Sequence, residues 1–162
     1  MNQKVTRETM AGERSGMKIS REYDFPRETV FKMFTDAQKA AKFFGPEGAE
    51  KLLFELDPRP GGAIRIVDRY EGAVATTSGT ILEIVDPERL VFRSATAPEG
   101  STAPWEAIQS VTLEALGPKR TRVTVSVKVL ETGSFPGGVE SLEEGFKGGW
   151  GETLDMLQRE LR

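Results

Sequence analysis

The chain of 162 residues contains neither cysteine nor histidine. Without these residue types it can form no disulfide, no thiolate nucleophile, no serine-histidine-aspartate triad and no ordinary zinc site. The carboxylates that remain show neither the spacing of a calcium-binding loop nor a paired arrangement on a helix. Phosphate-binding loops and nucleophile elbows are lacking as well. We therefore predict no catalytic residue, no metal and no cofactor.

Long apolar runs and an excess of charge are also lacking. No run reaches the roughly eighteen apolar residues that suggest a membrane span, and the N-terminus lacks the apolar core of a signal peptide. We expect a soluble, cytoplasmic protein without membrane insertion. The 22 basic and 25 acidic residues leave a net charge of −3, which predicts no nucleic-acid partner. The one basic cluster, Lys119, Arg120 and Arg122, follows Gly117-Pro118 and is typical of a solvated hairpin turn.

The N-terminal part of the sequence divides into an arm, a strand and two short helices. Residues 1–16 are polar and predict a loosely held arm, and residues 17–162 predict one domain, long enough to bury a core unaided. Alternation predicts a first strand from Met17 up to Phe25-Pro26. Apolar residues at helical spacing then predict a helix that ends near Asp36. Asp36 in turn caps a second helix, over about residues 37–43.

From about Lys51 onward the apolar residues recur with the period of strands, and turn signals arrive at short intervals. This pattern indicates an antiparallel meander. One strand ends at Leu56, and five more follow. In the last strand, over residues 122–130, four valines alternate with polar residues, so one face should be buried and one solvated. The turns lie at residues 57–62, 71–72, 86–88, 96–104 and 117–120.

The C-terminal segment predicts one long amphipathic helix. Ser141 and Glu144 match a capping box, which predicts the helix start after a Gly/Pro loop over residues 134–138. The apolar positions share one face; they are Leu142, Phe146, Trp150, Leu154, Leu157 and Leu161.

Four glycines oppose simple helix propensity, each by about 1 kcal/mol relative to alanine. They are Gly145, Gly148, Gly149 and Gly151. Three interpretations stay open: close approach of the helix to the sheet, room for a ligand beside Trp150, and an irregular or late helix start.

A set of short motifs in a fixed order extends from about Met17 to Arg162. Its members are Arg21, Phe25-Pro26, Val30-Phe31, Thr35-Asp36, Gly45-Pro46, Asp57, Arg59-Pro60-Gly61-Gly62, Gly79, Glu83-Ile84, Pro87-Glu88-Arg89-Leu90-Val91-Phe92, Gly149-Trp150, Leu154 and Leu157. In this set the chain resembles the bacterial homologues of the activator of heat shock protein 90 ATPase, within the START-like SRPBCC superfamily. It departs from them in carrying Phe43-Phe44 before Gly45-Pro46, where members usually have tryptophan.

The resemblance implies an α+β helix-grip fold, START-like and Bet v 1-like. A seven-stranded antiparallel sheet wraps around the long C-terminal helix, two short helices follow the first strand, and the helix covers an apolar cavity. Members of the superfamily include lipid and hormone carriers, polyketide cyclases, antibiotic-sequestering proteins and chaperone cofactors. The fold alone therefore does not identify the function.

The cavity predicts the candidate site. Several aromatic side chains should converge between sheet and helix, and we interpret Gln109 as an orienting group because it shares a strand face with Trp105, which Glu106 does not. Alternation likewise assigns Arg65 and Arg69 to solvent. The predicted lining residues are Phe34, Phe44, Tyr70, Trp105, Gln109, Phe146 and Trp150.

Three hypotheses from different classes follow. The leading one is a module that binds a small apolar or aromatic ligand in the cavity and performs no catalysis. The second is an enzyme of the cyclase or hydratase type, which would need an inward carboxylate such as Asp68 or Glu83. The third is a module that contacts a chaperone. Because one domain and a short arm use up the chain, we expect little or no stimulation of a chaperone ATPase.

Overall fold

The computed structural model describes residues 16–162, which form one antiparallel sheet and three helices. The strands lie in the order β1-β7-β6-β5-β4-β3-β2. This architecture confirms the predicted fold class. The predicted arm over residues 1–16 lies, apart from Gly16, outside the described residues. The elements are β1 (Met17–Tyr23), α1 (Arg27–Thr35), α2 (Ala37–Ala40), β2 (Glu50–Leu56), β3 (Ala63–Tyr70), β4 (Ala73–Val85), β5 (Arg89–Pro98), β6 (Trp105–Gly117), β7 (Arg120–Glu131) and α3 (Gly138–Leu161).

The alternation in β7 places three of its four valines in the core. Val123, Val125 and Val127 are at most 1% exposed, whereas Val129, nearer the end of the strand, is half-buried. Val125 lies between Ile19 of β1 and Val111 of β6. The valines therefore fill the narrow space between the sheet and the C-terminal helix.

Helix α3 approaches the sheet backbone most closely at β1 and β7. The hydroxyl of Tyr23 donates a hydrogen bond of 2.7 Å to the backbone oxygen of Leu154. Nearby, the Arg21 guanidinium lies 3.5 Å from the carboxylate of Asp155. Both contacts come from β1, at one edge of the sheet. They hold α3 over β1 and the neighbouring strand β7.

The ends of two elements differ from the prediction. Helix α2 stops at Ala40 rather than at Phe43, although Asp36 caps it as predicted by accepting from the backbone N–H groups of Gln38 and Lys39. Strand β5 continues to Pro98, whereas a loop was predicted from Thr96 onward. Pairing with β4 and β6 holds these extra residues in the sheet.

The predicted start of α3 is wrong. Ser141 is not the cap; the helix begins at Gly138, and Gly137 occupies the cap position without a side-chain hydrogen bond. Gly137 and Gly138 have φ angles of +95° and +82°, which glycine adopts readily. A Cβ on Gly137 would lie 2.7 Å from that of Ser141. The two glycines therefore turn the chain into the helix one turn earlier than a capping box would.

The predicted basic hairpin is balanced by neighbouring carboxylates. Arg120 pairs with Glu22 and with Asp24, and Arg122 lies 2.9 Å from Glu114 and 3.2 Å from Glu22. Hydrogen bonds from Arg120, and then from Arg122, lower the pKa of Glu22. The cluster thus presents little unpaired positive charge. None of the helices within residues 16–162 is long and apolar enough to cross a membrane.

Candidate functional site

A cavity of about 500 Å³ lies between α3 and strands β2 to β6. The structure brings all seven predicted site residues together around it, although their role in ligand binding stays a prediction. Those residues are Phe34, Phe44, Tyr70, Trp105, Gln109, Phe146 and Trp150.

The cavity has a closed end and an open end. Ile64 and Leu90, which are 7% and 2% exposed, lie at the closed end. Tyr70 and Ala73 face each other at the turn between β3 and β4, and both are exposed, as is the nearby Pro98. The opening of the cavity therefore lies at Tyr70, and the space extends along the strands towards Leu90.

Phe44 connects three parts of the aromatic wall. Its ring centroid lies 5.4 Å from that of Trp150, 5.9 Å from that of Phe54 and 6.2 Å from that of Phe34. Phe43 is fully buried and packs edge-on against Phe34 at 5.3 Å. The indole that lines the cavity at this point is Trp150 of α3.

A buried hydrogen-bond chain holds that indole in place. The Nε1–H group of Trp150 donates to Oε1 of Gln109 at 2.7 Å, and Nε2 of Gln109 donates to the Ser94 hydroxyl at 2.8 Å. Both ends of the Gln109 amide are therefore engaged within the protein, and the contact that the structure shows for Gln109 is with Trp150. A contact of Gln109 with a ligand stays a prediction. The sequence reasoning missed Ser94, although its position two residues from Phe92 in β5 places both side chains on one face.

Two threonines add a second polar group to the wall. The hydroxyls of Thr77 and Thr96 lie 2.8 Å apart, and both residues line the cavity. In a hydroxyl pair one oxygen donates to the other, so the accepting hydroxyl keeps a hydrogen for a further partner.

Asp68 is the carboxylate that reaches the cavity. Its Oδ1 lies 2.7 Å from Nζ of Lys51, and both side chains are 17% exposed. Nζ also donates to the backbone oxygen of Phe44. Gly45, with a φ of +103°, covers the pair so closely that an added Cβ would lie 2.7 Å from Nζ and 3.0 Å from Oδ2 of Asp68.

The other charged residues weighed from the sequence lie elsewhere. Glu83 pairs with Arg89 at 2.7 Å, is half exposed and does not line the cavity. Arg65 and Arg69 are exposed, as alternation predicts. Within residues 16–162 no three carboxylates converge where they could hold a metal ion. The absence of a bound metal stays a prediction.

The glycines of α3 have different surroundings. A Cβ on Gly149 would meet nothing within 4 Å, and Gly149 lines the cavity; Gly148 has the same freedom but is exposed to solvent. A Cβ on Gly151 would make ordinary contacts with β1, at 3.8 Å from the Ile19 side chain. The cavity therefore has open space beside Gly149, whereas α3 makes a close but unstrained approach to the sheet at Gly151. That the space at Gly149 holds a ligand stays a prediction.

Phe135 is a lining residue that the sequence reasoning missed. Its ring lies edge-on to Trp105 with centroids 5.2 Å apart, and a Cβ on Gly145 would approach it to 3.2 Å. Phe135 lies in the segment over residues 134–138, for which the sequence predicts only a Gly/Pro loop. A large aromatic residue between Ser134 and Pro136 was the available signal.

An antiparallel sheet, a C-terminal helix packed on it and an apolar cavity between them define a helix-grip domain. A family model described as "Activator of Hsp90 ATPase homolog 1-like protein" matches residues 24–162. The chain belongs to this family.

Solved structures share the same architecture. The chain is similar to protein NE0264 from Nitrosomonas europaea, with 26% identity, a TM-score of 0.73 and coverage of 90% of this chain and 93% of that one. For protein CV1439 from Chromobacterium violaceum the values are 24%, 0.73, 90% and 96%. For the AHSA1 protein SPO3351 from Silicibacter pomeroyi they are 22%, 0.75, 90% and 96%. No curated protein matches the sequence.

Proposed function

We propose that this protein binds a small apolar or aromatic molecule in the cavity between the sheet and α3. The observation that carries the proposal is the cavity itself. Its volume of about 500 Å³ falls within the roughly 300–1,000 Å³ of small-molecule sites. Close-packed interiors contain few voids larger than a water molecule. A space of this size, lined mainly by aliphatic and aromatic side chains, is therefore more than imperfect packing.

The two tryptophans of the chain provide a direct test, because both line the cavity. Titration with a panel of hydrophobic and aromatic compounds should include some that quench tryptophan fluorescence with micromolar affinity, about −8 kcal/mol at 1 μM. Backbone amide shifts should cluster at residues 146–154 and near Trp105. Failure of a broad panel to yield a binder, or shifts confined to the outer sheet face, would contradict the proposal.

A pair of glycine substitutions separates occupation of the cavity from general effects on the helix. Gly149→Leu places a side chain in the cavity and should weaken probe binding at least about tenfold, or 1.4 kcal/mol. Gly148→Leu makes the same change on the exposed side of α3 and should leave affinity unchanged. Both should favour the helix by about the same amount, since each removes a glycine. Equal affinities in the two variants would show that probes bind elsewhere.

Native mass spectrometry of the protein from its own host should then show a retained hydrophobic small molecule. A cytoplasmic location stays a prediction from the sequence.

One observation favours an enzyme as the second candidate function: Asp68 is an inward carboxylate at the cavity wall. A cyclase or hydratase would convert the molecule that native mass spectrometry identifies, and Asp68→Asn would abolish the conversion. Release of that molecule unchanged after prolonged incubation would leave binding as the function.

A further inference from the structure

The polar groups of the cavity wall form a strip across the sheet. Asp68 of β3 is paired with Ala75 of β4, two residues from Thr77, and Thr77 is paired with Thr96 of β5. Diagonal neighbours of this kind lie about 7–8 Å apart on one face of a sheet. Asp68 and the threonine pair can therefore contact the same bound molecule.

Asp68 stands out within this strip by its charge. Among residues 16–162 it is the one ionisable acidic or basic side chain, apart from the phenol of Tyr70, that lines the cavity. Its Oδ1 is buried against the Lys51 ammonium, 2.7 Å away, so the 17% of the side chain that is exposed leaves Oδ2 as the oxygen that can face the cavity. Lys51 itself does not line the cavity. The wall thus presents a hydrogen-bond acceptor, with the positive charge behind it.

We propose that the ligand is a neutral apolar alcohol or phenol whose hydroxyl group donates a hydrogen bond to Asp68. This inference rests on the proposed function and specifies its ligand class. A wholly apolar ligand would remove water from the carboxylate without replacing its hydrogen bond, which is unfavourable. A ligand carboxylate would be repelled by Asp68, and a ligand cation would compete with Lys51 for it. The spare hydrogen of the threonine pair suits a second oxygen on the same molecule.

Three probes of similar shape test the hydroxyl requirement. They are 4-phenylphenol, 4-methylbiphenyl, which replaces the hydroxyl with a methyl group, and biphenyl-4-carboxylate. Tryptophan quenching gives the dissociation constant of each. On the unsubstituted protein we expect 4-phenylphenol to bind about tenfold more tightly than 4-methylbiphenyl, as one charge-assisted hydrogen bond would provide. The carboxylate should bind most weakly of the three.

The substitution Asp68→Asn tests whether Asp68 causes the preference. It should reduce the ratio of phenol to methyl affinity to about one while leaving 4-methylbiphenyl affinity unchanged. Biphenyl-4-carboxylate should bind this variant more tightly than the unsubstituted protein, because the Lys51 charge is no longer neutralised. The matched control is Glu50→Gln. Glu50 pairs with Arg69 at 2.8 Å at the next position of the same two strands, but in solvent. This control should retain the tenfold preference.

The outcomes separate this inference from the proposed function. If none of the three probes binds although the broad panel yields a binder, the inference alone fails; if the broad panel yields no binder either, the proposed function and the inference both fail. If 4-methylbiphenyl binds as tightly as 4-phenylphenol, or if Asp68→Asn keeps the preference, the inference alone fails. Tightest binding of biphenyl-4-carboxylate to the unsubstituted protein would also overturn it. If the Asp68 variant does not fold, a nuclear magnetic resonance titration of the unsubstituted protein provides the test. The signal of the Asp68 side-chain carboxyl carbon should shift with 4-phenylphenol and not with 4-methylbiphenyl; equal shifts, or none, would overturn the inference.

Discussion

The two halves of the sheet differ in how closely α3 approaches them and in how much space is left between sheet and helix. Under β1 and β7, where α3 approaches most closely, Val123, Val125 and Val127 are at most 1% exposed. Over β2 to β5 the side chains include Phe54 and Phe92, and a space of about 500 Å³ is still left. The close approach of α3 therefore accounts for the solid half of the sheet, β1 and β7. In the open half, β2 to β5, the wall also includes the small side chains of Ala75, Thr77 and Thr96, and the cavity is left.

The largest expected effect is at Trp150, which lies at the border of the two halves. Trp150→Ala should lower the free energy of unfolding by about 3–5 kcal/mol, because it removes a large side chain that is 5% exposed. It also leaves Gln109 without its indole partner. Urea denaturation measures the loss, and a fluorescence titration through Trp105 measures binding. Lost stability with unchanged probe affinity would assign Trp150 to the solid core alone.

Val125→Ala in the solid half and Ile66→Ala in the open half compare the loss of stability in the two halves directly. Val125→Ala should lower stability by about 1–3 kcal/mol, since the valine is 0% exposed and its surroundings are filled. Ile66→Ala removes more atoms but lies beside the cavity, so we expect a smaller loss there. Thermal unfolding of both variants gives the order. A larger loss at Ile66 would show that the space beside it is not open.

Tyr23→Phe is expected to have a smaller effect, about 1 kcal/mol, through loss of the hydrogen bond to the backbone of α3. Burial raises the pKa of Tyr23 above its ordinary value, which is about 10. The folded state therefore holds the phenolic proton more tightly. Its contribution is fully present below about pH 10 and is lost as the pH rises towards the folded-state pKa. Denaturation from pH 8 to 11 should show a steeper loss for the unsubstituted protein than for the variant. Parallel curves would contradict this.

The smallest effect is expected on a chaperone ATPase. If ligand binding in the open half is the function, addition of the protein should change the ATPase rate little or not at all. A several-fold rise would place the function on the outer surface, away from both halves.

The sequence predicted the solid half better than the open one. Alternation in β7 follows directly from a sheet with one buried face, so Val123, Val125 and Val127 could be assigned without a structure. The aromatic residues of the open half could be named as a group for the same reason. Phe135 could not, because its position depends on how a loop folds back over Trp105. The pair of Lys51 and Asp68 depends on the register of β2 against β3, which short-range patterns do not contain.

The start of α3 shows a second limit. A capping box and a pair of glycines are both valid start signals, and they lie a few residues apart in this sequence. The conformation of Gly137 and Gly138 decides between them, and that conformation depends on how the preceding loop leaves β7.

Strands β1 and β2 are the two edges of the sheet, but α3 holds β1 through Tyr23 and Arg21 and makes few close contacts with β2. Strand β2 supplies Phe54 and Leu56 to the cavity wall, and among residues 16–162 it pairs with β3 alone, with an irregular register near Leu52. A strand held on one side opens locally for less free energy than one held on both. Because β1 has the additional contacts with α3, we expect β2 to open before β1, which would admit molecules larger than the resting space without unfolding the valine-filled core.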